Sequence, residues 1–406
     1  MKPARLAATA LACLATNVAA QTGDSLFSVS GFGTLGAVYH DRESVAFRRD
    51  ISKPDGAKAR QASLAQDSML GVQLTARPSN RLEASLQLVS RHNIDVGYTP
   101  QVTWAYAKFK PTEEISLRAG RLGIEAYMAG DSAEIGYANL MLRQLVVFYP
   151  QTHDGLDAEL LLPAGNGSLR LKGMLGAPIG KQLVGDTPYK YAGSIWGALA
   201  EYNLHHWTGR LSAGQLKLKN ENDNPDIVAV RNALTMAPNG ARIVDALSLK
   251  NRTLSYASLA LAYDNGPLRG QFDISRTSSS GWSDLATFAG FIGYRLGQFT
   301  PYLGYSREHN DRGILSTGFA PGLSAETDTL NLISGLAQGG LKTDQSDIAI
   351  GVRYDFARNA ALKVQADRIR YRAPLSIIDS SLYATPYENW QQKKLHLFSM
   401  ALEFVF

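Results

Sequence analysis

The chain has 406 residues, 45% of them hydrophobic, and a formal charge of +5 that falls to +3 when Lys2 and Arg5 are set aside. So small an excess of positive charge, without a basic run that carries interleaved aromatic residues, argues against nucleic acid as a partner. No run of about eighteen apolar residues follows residue 20, so no transmembrane helix is expected.

Residues 1–20 have the pattern of a secretory signal peptide. Lys2 and Arg5 make its start positive, a stretch of small and apolar residues follows, and Val-Ala-Ala supplies a cleavage site. The single cysteine, Cys13, lies in this segment, so the exported chain, residues 21–406, would contain no thiol. Such a chain would rely on hydrogen bonding and packing, without disulfides, in an oxidising compartment.

Apolar and polar residues alternate with a period of two through most of the remaining chain, which is typical of β-strands with two unlike faces. In residues 346–356, for example, Ile348, Ile350 and Val352 share one face, and Asp347 lies on the other. Helical periodicity is weak, so the pattern predicts an all-β fold. The sixteen predicted strands are residues 27–40, 67–77, 81–92, 101–110, 114–121, 154–162, 168–177, 191–203, 206–218, 253–264, 267–277, 285–296, 299–308, 346–356, 360–372 and 394–406.

Short and long connections alternate between these strands. The longer loops are residues 41–66, 93–100, 122–153, 178–190, 219–252, 278–284, 309–345 and 373–393. A meander with two unlike ends is typical of outer-membrane barrels, whereas a β-sandwich has no reason to sort its connections in this way. The sequence therefore predicts a transmembrane antiparallel up-and-down β-barrel of about sixteen strands, with short periplasmic turns and long external loops. A further hairpin inside a long loop would raise the count to eighteen.

Aromatic residues recur on the apolar face of the strands, near the short turns. They are Tyr263, Tyr294, Tyr354, Phe356, Phe404 and Phe406. Aromatic residues at one depth indicate a girdle at a membrane interface. A surface that faces lipid requires every backbone group to pair internally, which only a closed barrel achieves with strands. Sixteen strands enclose a lumen too wide for side chains to fill, so a water-filled channel is expected.

Three segments carry a resemblance to a known family. They are the first strand, SVSGFGTLGAVYHD at 28–41, the Arg-Ala-Gly-Arg-Leu-Gly stretch at 118–123, and the last strand, which ends in Phe406 behind alternating apolar residues. Together with the strand rhythm, they resemble the Gram-negative outer-membrane general porin superfamily of sixteen-stranded β-barrel porins. The resemblance implies a passive channel for small hydrophilic solutes and ions.

The resemblance also implies a constriction. Loop 122–153 would fold into the barrel as an inward-folded constriction loop, because its length and its position after the fifth strand match the family's third loop. Opposed charges across a narrow aqueous gap would then bias the passage of ions. The candidate pore-lining residues are acidic on the loop, Glu125, Asp131 and Glu134, and basic on the barrel wall, Arg77, Arg91, Lys108, Arg118 and Arg121.

The family likeness further implies a homotrimer in the outer membrane of a Gram-negative bacterium, in contact with lipid and lipopolysaccharide. It also implies that the barrel-assembly machinery reads the C-terminal Phe406. No cofactor, metal site or catalytic set is predicted, since His205-His206 and His153-Asp154 lack further partners at suitable spacing. The chain is therefore predicted not to be an enzyme. The alternatives are a receptor or adhesin that uses its long loops, such as 219–252 and 309–345, and, less favoured, a barrel enzyme. The permeating solute and the preference for anions or cations stay open.

Overall fold

The computed structural model describes residues 25–43, 45–94, 96–144, 150–184, 187–279, 283–310, 313–339, 344–371 and 393–406. The predicted signal peptide, residues 1–20, lies outside the described residues. Sixteen strands form one closed antiparallel barrel, in which each strand pairs with its neighbours along the chain and the first pairs with the last. The predicted fold class is therefore confirmed.

The strands are labelled in chain order. They are β1 (Phe27–Tyr39), β2 (Met69–Ser79), β3 (Leu82–Arg91), β4 (Gln101–Phe109), β5 (Ile115–Gly123), β6 (Thr152–Ala164), β7 (Gly167–Ile179), β8 (Lys181–Val184), β9 (Thr187–Lys190), β10 (Gly193–Leu204), β11 (Trp207–Leu218), β12 (Thr253–Asp264), β13 (Leu268–Ser279), β14 (Ser283–Tyr294), β15 (Phe299–Asn310), β16 (Asp344–Ala357), β17 (Ala360–Tyr371) and β18 (Lys393–Val405). Each predicted strand is present, with its ends within two residues of the predicted ones. The extra hairpin, β8–β9, pairs only with itself, so a barrel of eighteen strands is wrong.

The connections are sorted between the two ends of the barrel as predicted, with one exception. The short turns at one end use residues with positive φ, such as His205, Gly266 and Gly297. At the other end, β13 and β14 are joined by only three residues, where the sequence predicted a longer loop at 278–284. Both strands extend further than the alternation indicated, because polar residues such as Ser278 and Asp284 still pair in the ladder.

Two of the long loops contain helices that the sequence analysis did not predict. They are α1 (Pro225–Leu234), α2 (Gly240–Leu247) and α3 (Ala325–Gly339). Helix α1 begins at Asn224, whose side chain accepts hydrogen bonds from the N–H groups of Asp226 and Ile227, and Pro225 is its first residue. The two loops meet where the N–H of Asn239 donates to the carbonyl of Thr317 at 2.9 Å. In the described part of the chain, no helix has the length and apolar character needed to cross a bilayer.

The two faces of the barrel differ in chemistry. Outward side chains along each strand are large, apolar and exposed, as in Leu303 and Ile350, which are 48% and 61% exposed. The inward side chains on β2, β3 and β4 are polar and bond to one another: Thr103 donates to Gln87 at 2.6 Å, and Gln87 donates to Gln73 at 3.1 Å. The strands therefore alternate apolar-out and polar-in, which is the reverse of a soluble protein.

The barrel closes at the seam between β1 and β18. The N–H of Gly31 donates to the carbonyl of Phe406 at 2.8 Å, and the N–H of Phe406 donates back to Gly31 at 2.9 Å. On the outer face, the ring of Phe404 covers Gly33 so closely that a Cβ there would lie 2.4 Å from the ring. The aromatic rings of the last strand thus pack directly against the glycines of the first strand, where no side chain is in the way.

Other aromatic residues of the predicted girdle meet aromatic residues of adjacent strands on the outer face. Trp207 lies 4.6 Å from Tyr263, and Phe299 stacks on Tyr354 at 4.5 Å, measured between ring centroids. Each pair belongs to one register position of its two strands, close to a short turn. Such contacts fix the rings at one height around this part of the barrel.

Candidate functional site

The loop that joins β5 to β6 enters the lumen. Its first part lies on the inner wall formed by β11, β12 and β13. The carbonyl of Ala126 accepts a hydrogen bond from the hydroxyl of Tyr256 at 2.7 Å, and the carbonyl of Tyr127 accepts one from Arg210 at 2.9 Å. Further along, the N–H of Met128 donates to Asp273 at 3.4 Å. The barrel wall thus binds mainly backbone atoms of the loop.

The loop then reaches the wall on the other side. Glu134 forms an ion pair of 2.7 Å with Arg91 at the end of β3, and Ile135 packs against a buried apolar cluster that includes Phe32 and Val89. Strands β3 and β13 are eight positions apart in a closed ring of sixteen, so they lie on opposite sides of the barrel. The segment 128–134 therefore spans the lumen, and we call it the bridge.

Beyond the bridge, the loop is held by two buried cations of β16 and β17. Lys363 donates to the carbonyls of Gly136, Asn139 and Met141 at 2.9, 2.6 and 3.1 Å. Its ammonium also pairs with Glu403 of β18 at 2.6 Å, and the two side chains are 0% and 1% exposed. Arg353 donates to the carbonyl of Asn139 at 3.0 Å. A buried lysine whose ammonium donors all have acceptors fixes the loop's backbone at a defined place.

A third anchor lies near the far end of the loop. The guanidinium of Arg143 bonds to Asp67 at 2.6 Å, to Ser399 at 2.8 Å and to Asp367 at 3.2 Å. Asp67 lies just before β2, and the other two lie on β17 and β18. This arginine therefore joins the loop to two strands of the barrel and to the segment that precedes β2.

Glu125 ties the start of the loop to a cluster of cations on β5 and β7. Its carboxylate contacts Lys172, lies 2.6 Å from Arg170 and lies 3.6 Å from Arg118. Burial alone would raise the pKa of the Glu125 carboxyl, but the charges of Lys172 and Arg170 hold it below its usual range. Glu125 is buried, so its charge acts on the wall and not on the open lumen.

The structure brings together several residues that the sequence placed on opposite sides of a gap. Glu134 touches Arg91, and Glu125 touches the cations around Arg118. The reason is that the loop lies directly against the wall at these points, so the opposite charges neutralise each other in contact. The side chain of the third acidic candidate, Asp131, lies outside the described part of the structure.

The remaining basic candidates occupy three different environments. Arg77 faces inward near the short turns and pairs with Glu83 at 3.0 Å. Lys108 also faces inward, with Glu83 and Arg118 beside it in register, and it has no ion pair among the described residues. Arg121 has the outward parity of Leu117, and it bonds to Asp154 at 2.8 and 2.9 Å. Arg121 was predicted to line the pore, but its position in the sheet directs its side chain away from the lumen.

The loop's strongest anchors were missed by sequence reasoning. Lys363 and Arg353 could have been identified from the sequence, because each is a charged residue at an inward position of a C-terminal strand. Glu403 does the same within the last strand, where its neighbours on either side are apolar. Arg143 has no such signal, since it lies in a loop.

Comparisons with known proteins bear on the fold. No family model and no curated protein matches the chain. Its structure is similar to that of the outer-membrane channel DcaP of Acinetobacter baumannii, with a TM-score of 0.59, 11% identity, and coverage of 94% of this chain and 97% of that one. It is also similar to an anion-selective porin from Comamonas acidovorans, with a TM-score of 0.52, 12% identity, and coverage of 94% and 99%.

A third similar structure is OmpT of Vibrio cholerae, folded in vitro and described in a trimer form, with a TM-score of 0.50 and 12% identity. That match covers 94% of this chain and all of the other. At these identities the similarity concerns the fold. The chain has the general porin fold, that of the sixteen-stranded outer-membrane barrels, over nearly its whole length.

Proposed function

We propose that this protein is an outer-membrane porin, a passive diffusion channel for small hydrophilic solutes and ions. The observation that supports this most strongly is the distribution of side chains on the barrel, which are apolar outside and polar inside. A loop is also anchored within the lumen. An exposed apolar surface that encircles a barrel is typical of a protein that lies in a bilayer. The signal peptide predicted for residues 1–20 agrees with export, and the trimeric form of a structural neighbour makes a homotrimer our proposal for the assembly.

The proposed passage lies between the bridge and β4. In the described residues, hydrogen bonds and ion pairs join the loop between β5 and β6 to nine strands, which include β3 and β5 on either side of β4. None of them joins it to β4. The inward side chains there include Tyr106 and Lys108, both half-buried. Lys108 then supplies a positive charge that no described carboxylate of the loop or the wall pairs with directly. A charge in this position repels cations and attracts anions as they pass.

The direct test is the current through single refolded proteins in a planar bilayer. We expect discrete steps of conductance, and, for a trimer, steps that arrive in threes. The reversal potential under a salt gradient then gives the preferred sign of ion. A barrel that migrates as folded in a gel without heating but passes no current would contradict the proposal and favour a receptor that uses its external loops.

Replacement of Lys108 by Glu should shift the reversal potential toward cation preference. The change reverses a charge beside the proposed passage and leaves the apolar outer face untouched. Lys217, which faces outward on β11 and is exposed, offers the matched control Lys217→Glu. An equal shift in both variants, or none in Lys108→Glu, would show that the passage does not run along β4.

A further inference from the structure

A β-bulge in β4 changes which of its residues face the lumen. Val102 lies opposite Leu88, which faces outward and is exposed. Trp104 lies opposite Gln87, which faces inward, so Thr103 is an extra residue between the two pairs. An extra residue in a strand inverts the alternation of its two faces. Without the bulge, Trp104 would share the outward face of Val102, and with it the indole lies on the inner face.

Three inward residues follow one another along β4 after the bulge. They are Trp104, Tyr106 and Lys108, all half-buried, and we refer to them as the inner column. Residues two positions apart on one face of a strand are separated by about 6.6 Å, so the column is about 13 Å long. Because β4 follows a long loop and ends at a short turn, a solute that enters from the long loops meets the two rings before the ammonium.

The ring of Tyr106 has small neighbours in the sheet. They are Ser85 on β3 and Gly120 on β5. Only glycine fits at position 120, because its φ is +132° and a Cβ would lie 2.2 Å from the carbonyl oxygen of Ala105. The guanidinium carbon of Arg118 lies 5.3 Å from the centre of the Tyr106 ring and covers part of it. Neither Ser85 nor Gly120 is large enough to cover the rest, which is consistent with the half-buried state of the ring.

Lys108 is the cation at the far end of the inner column. The charged groups beside it in register are Arg118 on β5 and Glu83 on β3. Arg118 bonds to Asp157 at 2.9 and 2.6 Å, and Glu83 pairs with Arg77 at 3.0 Å. Both neighbours therefore have partners of opposite charge, and an anion that reaches the column meets the ammonium of Lys108.

Two aromatic rings followed by a cation match a solute that carries both a ring and a carboxylate. Aromatic rings attract one another in offset-stacked or edge-to-face arrangements, with centroids about 4.5–7 Å apart. A carboxylate joined to its ring by a short chain can reach Lys108 while the ring lies on Tyr106, since the two positions are about 6.6 Å apart. Such a solute uses the whole column, whereas a small inorganic anion uses Lys108 alone.

We propose that the inner column binds aromatic carboxylates. Trp104 and Tyr106 stack on the ring, and Lys108 binds the carboxylate. This inference rests on the proposed function and names the class of solute that the passage along β4 favours. Permeation requires binding that is strong enough for entry and weak enough for release, and a few weak contacts in a row meet both needs.

The test uses the full refolded chain and the probe hydrocinnamate, a phenyl ring joined to a carboxylate by a short chain. The column variant carries Trp104→Leu and Tyr106→Leu. The matched control, Trp196→Leu and Tyr202→Leu, removes two exposed aromatic residues from the outer face of β10. Binding in detergent is measured from the broadening of the probe's proton resonances. A stacked ring contributes about threefold to affinity, so the column variant should bind about tenfold more weakly, and the control as the unmodified protein does.

Two further variants separate stacking from charge. Trp104→Phe with Tyr106→Phe keeps both rings and should retain most of the affinity. Lys108→Met should weaken the binding of hydrocinnamate about threefold and leave that of phenylpropanol, which has no charge, unchanged. Cyclohexylpropanoate has the same charge without an aromatic ring, so it should bind the unmodified protein more weakly than hydrocinnamate does.

Equal binding of hydrocinnamate and cyclohexylpropanoate would overturn the proposal, and so would an unchanged affinity in the column variant. A loss in the control as large as that in the column variant would also overturn it, because the probe would then bind the outer face or the detergent. If the leucine variant did not fold, the comparison of the two acids and the Lys108→Met variant would decide.

The single-channel current separates this proposal from that of a porin. Hydrocinnamate should reduce the current of the unmodified protein, and about tenfold more should be needed in the column variant. A channel that conducts but does not prefer hydrocinnamate to cyclohexylpropanoate would refute the inner column alone. Binding that depends on the two rings, in a protein that passes no current, would refute the porin proposal alone.

Discussion

Lys363→Met should lower the free energy of unfolding of the refolded barrel by about 3–5 kcal/mol, because it leaves the buried carboxylate of Glu403 without its partner. The ammonium of Lys363 is 0% exposed, pairs with Glu403 at 2.6 Å and donates to three carbonyls of the loop. Its loss therefore removes the counter-charge and the loop anchor together. Urea titration in detergent, followed by tryptophan fluorescence, measures the change.

The double variant Lys363→Met, Glu403→Leu separates the two effects. It removes both charges, so most of the lost stability should return, as is common when a buried ion pair is replaced by apolar residues of similar size. Lys250→Met, at an exposed position outside the barrel, should be nearly silent. If the double variant were as unstable as the single one, the cost would come from the loop contacts and not from the uncompensated charge.

The same substitution has a consequence for the current. Gly136, Asn139 and Met141 would lose the donor that holds them to the wall, so the part of the loop beyond the bridge would gain freedom to move. We expect greater current noise in the open channel in both Lys363→Met and the double variant. Quiet channels in both would mean that Arg353 and Arg143 suffice to hold the loop.

Ile350→Arg is the second change with a large expected effect, a loss of about 2–4 kcal/mol in the free energy of unfolding in lipid bilayers. Ile350 lies at the middle of β16, faces outward and is 61% exposed, so an arginine there would place its charge at the midplane of the apolar band. The cost should fall when the bilayer is replaced by detergent, which solvates charge more readily. Refolding titrations in vesicles of dilauroyl phosphatidylcholine give the comparison.

The matched control for Ile350→Arg is an arginine on the other face. Thr277 faces inward on β13 and is half-buried, so Thr277→Arg should cost much less. Gln73 is a poorer control, although it also faces inward, because its side chain bonds to Thr75 and Gln87. A larger loss for Thr277→Arg than for Ile350→Arg would reverse the assignment of the two faces.

The strands were predictable from sequence because alternation is local: Ile348, Ile350 and Val352 identify their face without reference to any other strand. The order of the strands followed from the short turns. Helix α1 has a local signal as well, since Asn224-Pro225 is a typical helix start, but its apolar residues show too weak a helical period to predict a helix. The contacts of the inner loop were not predictable, because Arg143 and Asp367 meet across more than half of the chain.

The pairing of charges between the inner loop and the wall was not predictable either. The sequence supplied acids on the loop and bases on the wall, and the family resemblance predicted that they would face each other across water. Which of them touch depends on how deeply the loop lies in the lumen, and nothing in the local sequence encodes that depth. Glu134 and Arg91 pair directly, whereas Lys108 is left without an ion partner in the described part of the chain.

The seam between β1 and β18 has a kinetic consequence. Gly31 bonds to Phe406, so the ladder that closes the barrel joins segments separated by nearly the whole length of the chain. Proteins whose contacts are this distant in sequence fold slowly, because a large loss of chain entropy precedes the contacts that compensate it. Before closure, β1 and β18 each present an edge of unpaired N–H and C=O groups, which is the arrangement that promotes aggregation. We therefore expect the yield of folded barrel to depend on how long the open sheet persists before β1 and β18 pair. A bilayer into which the open sheet inserts early should raise that yield more than any substitution within the lumen.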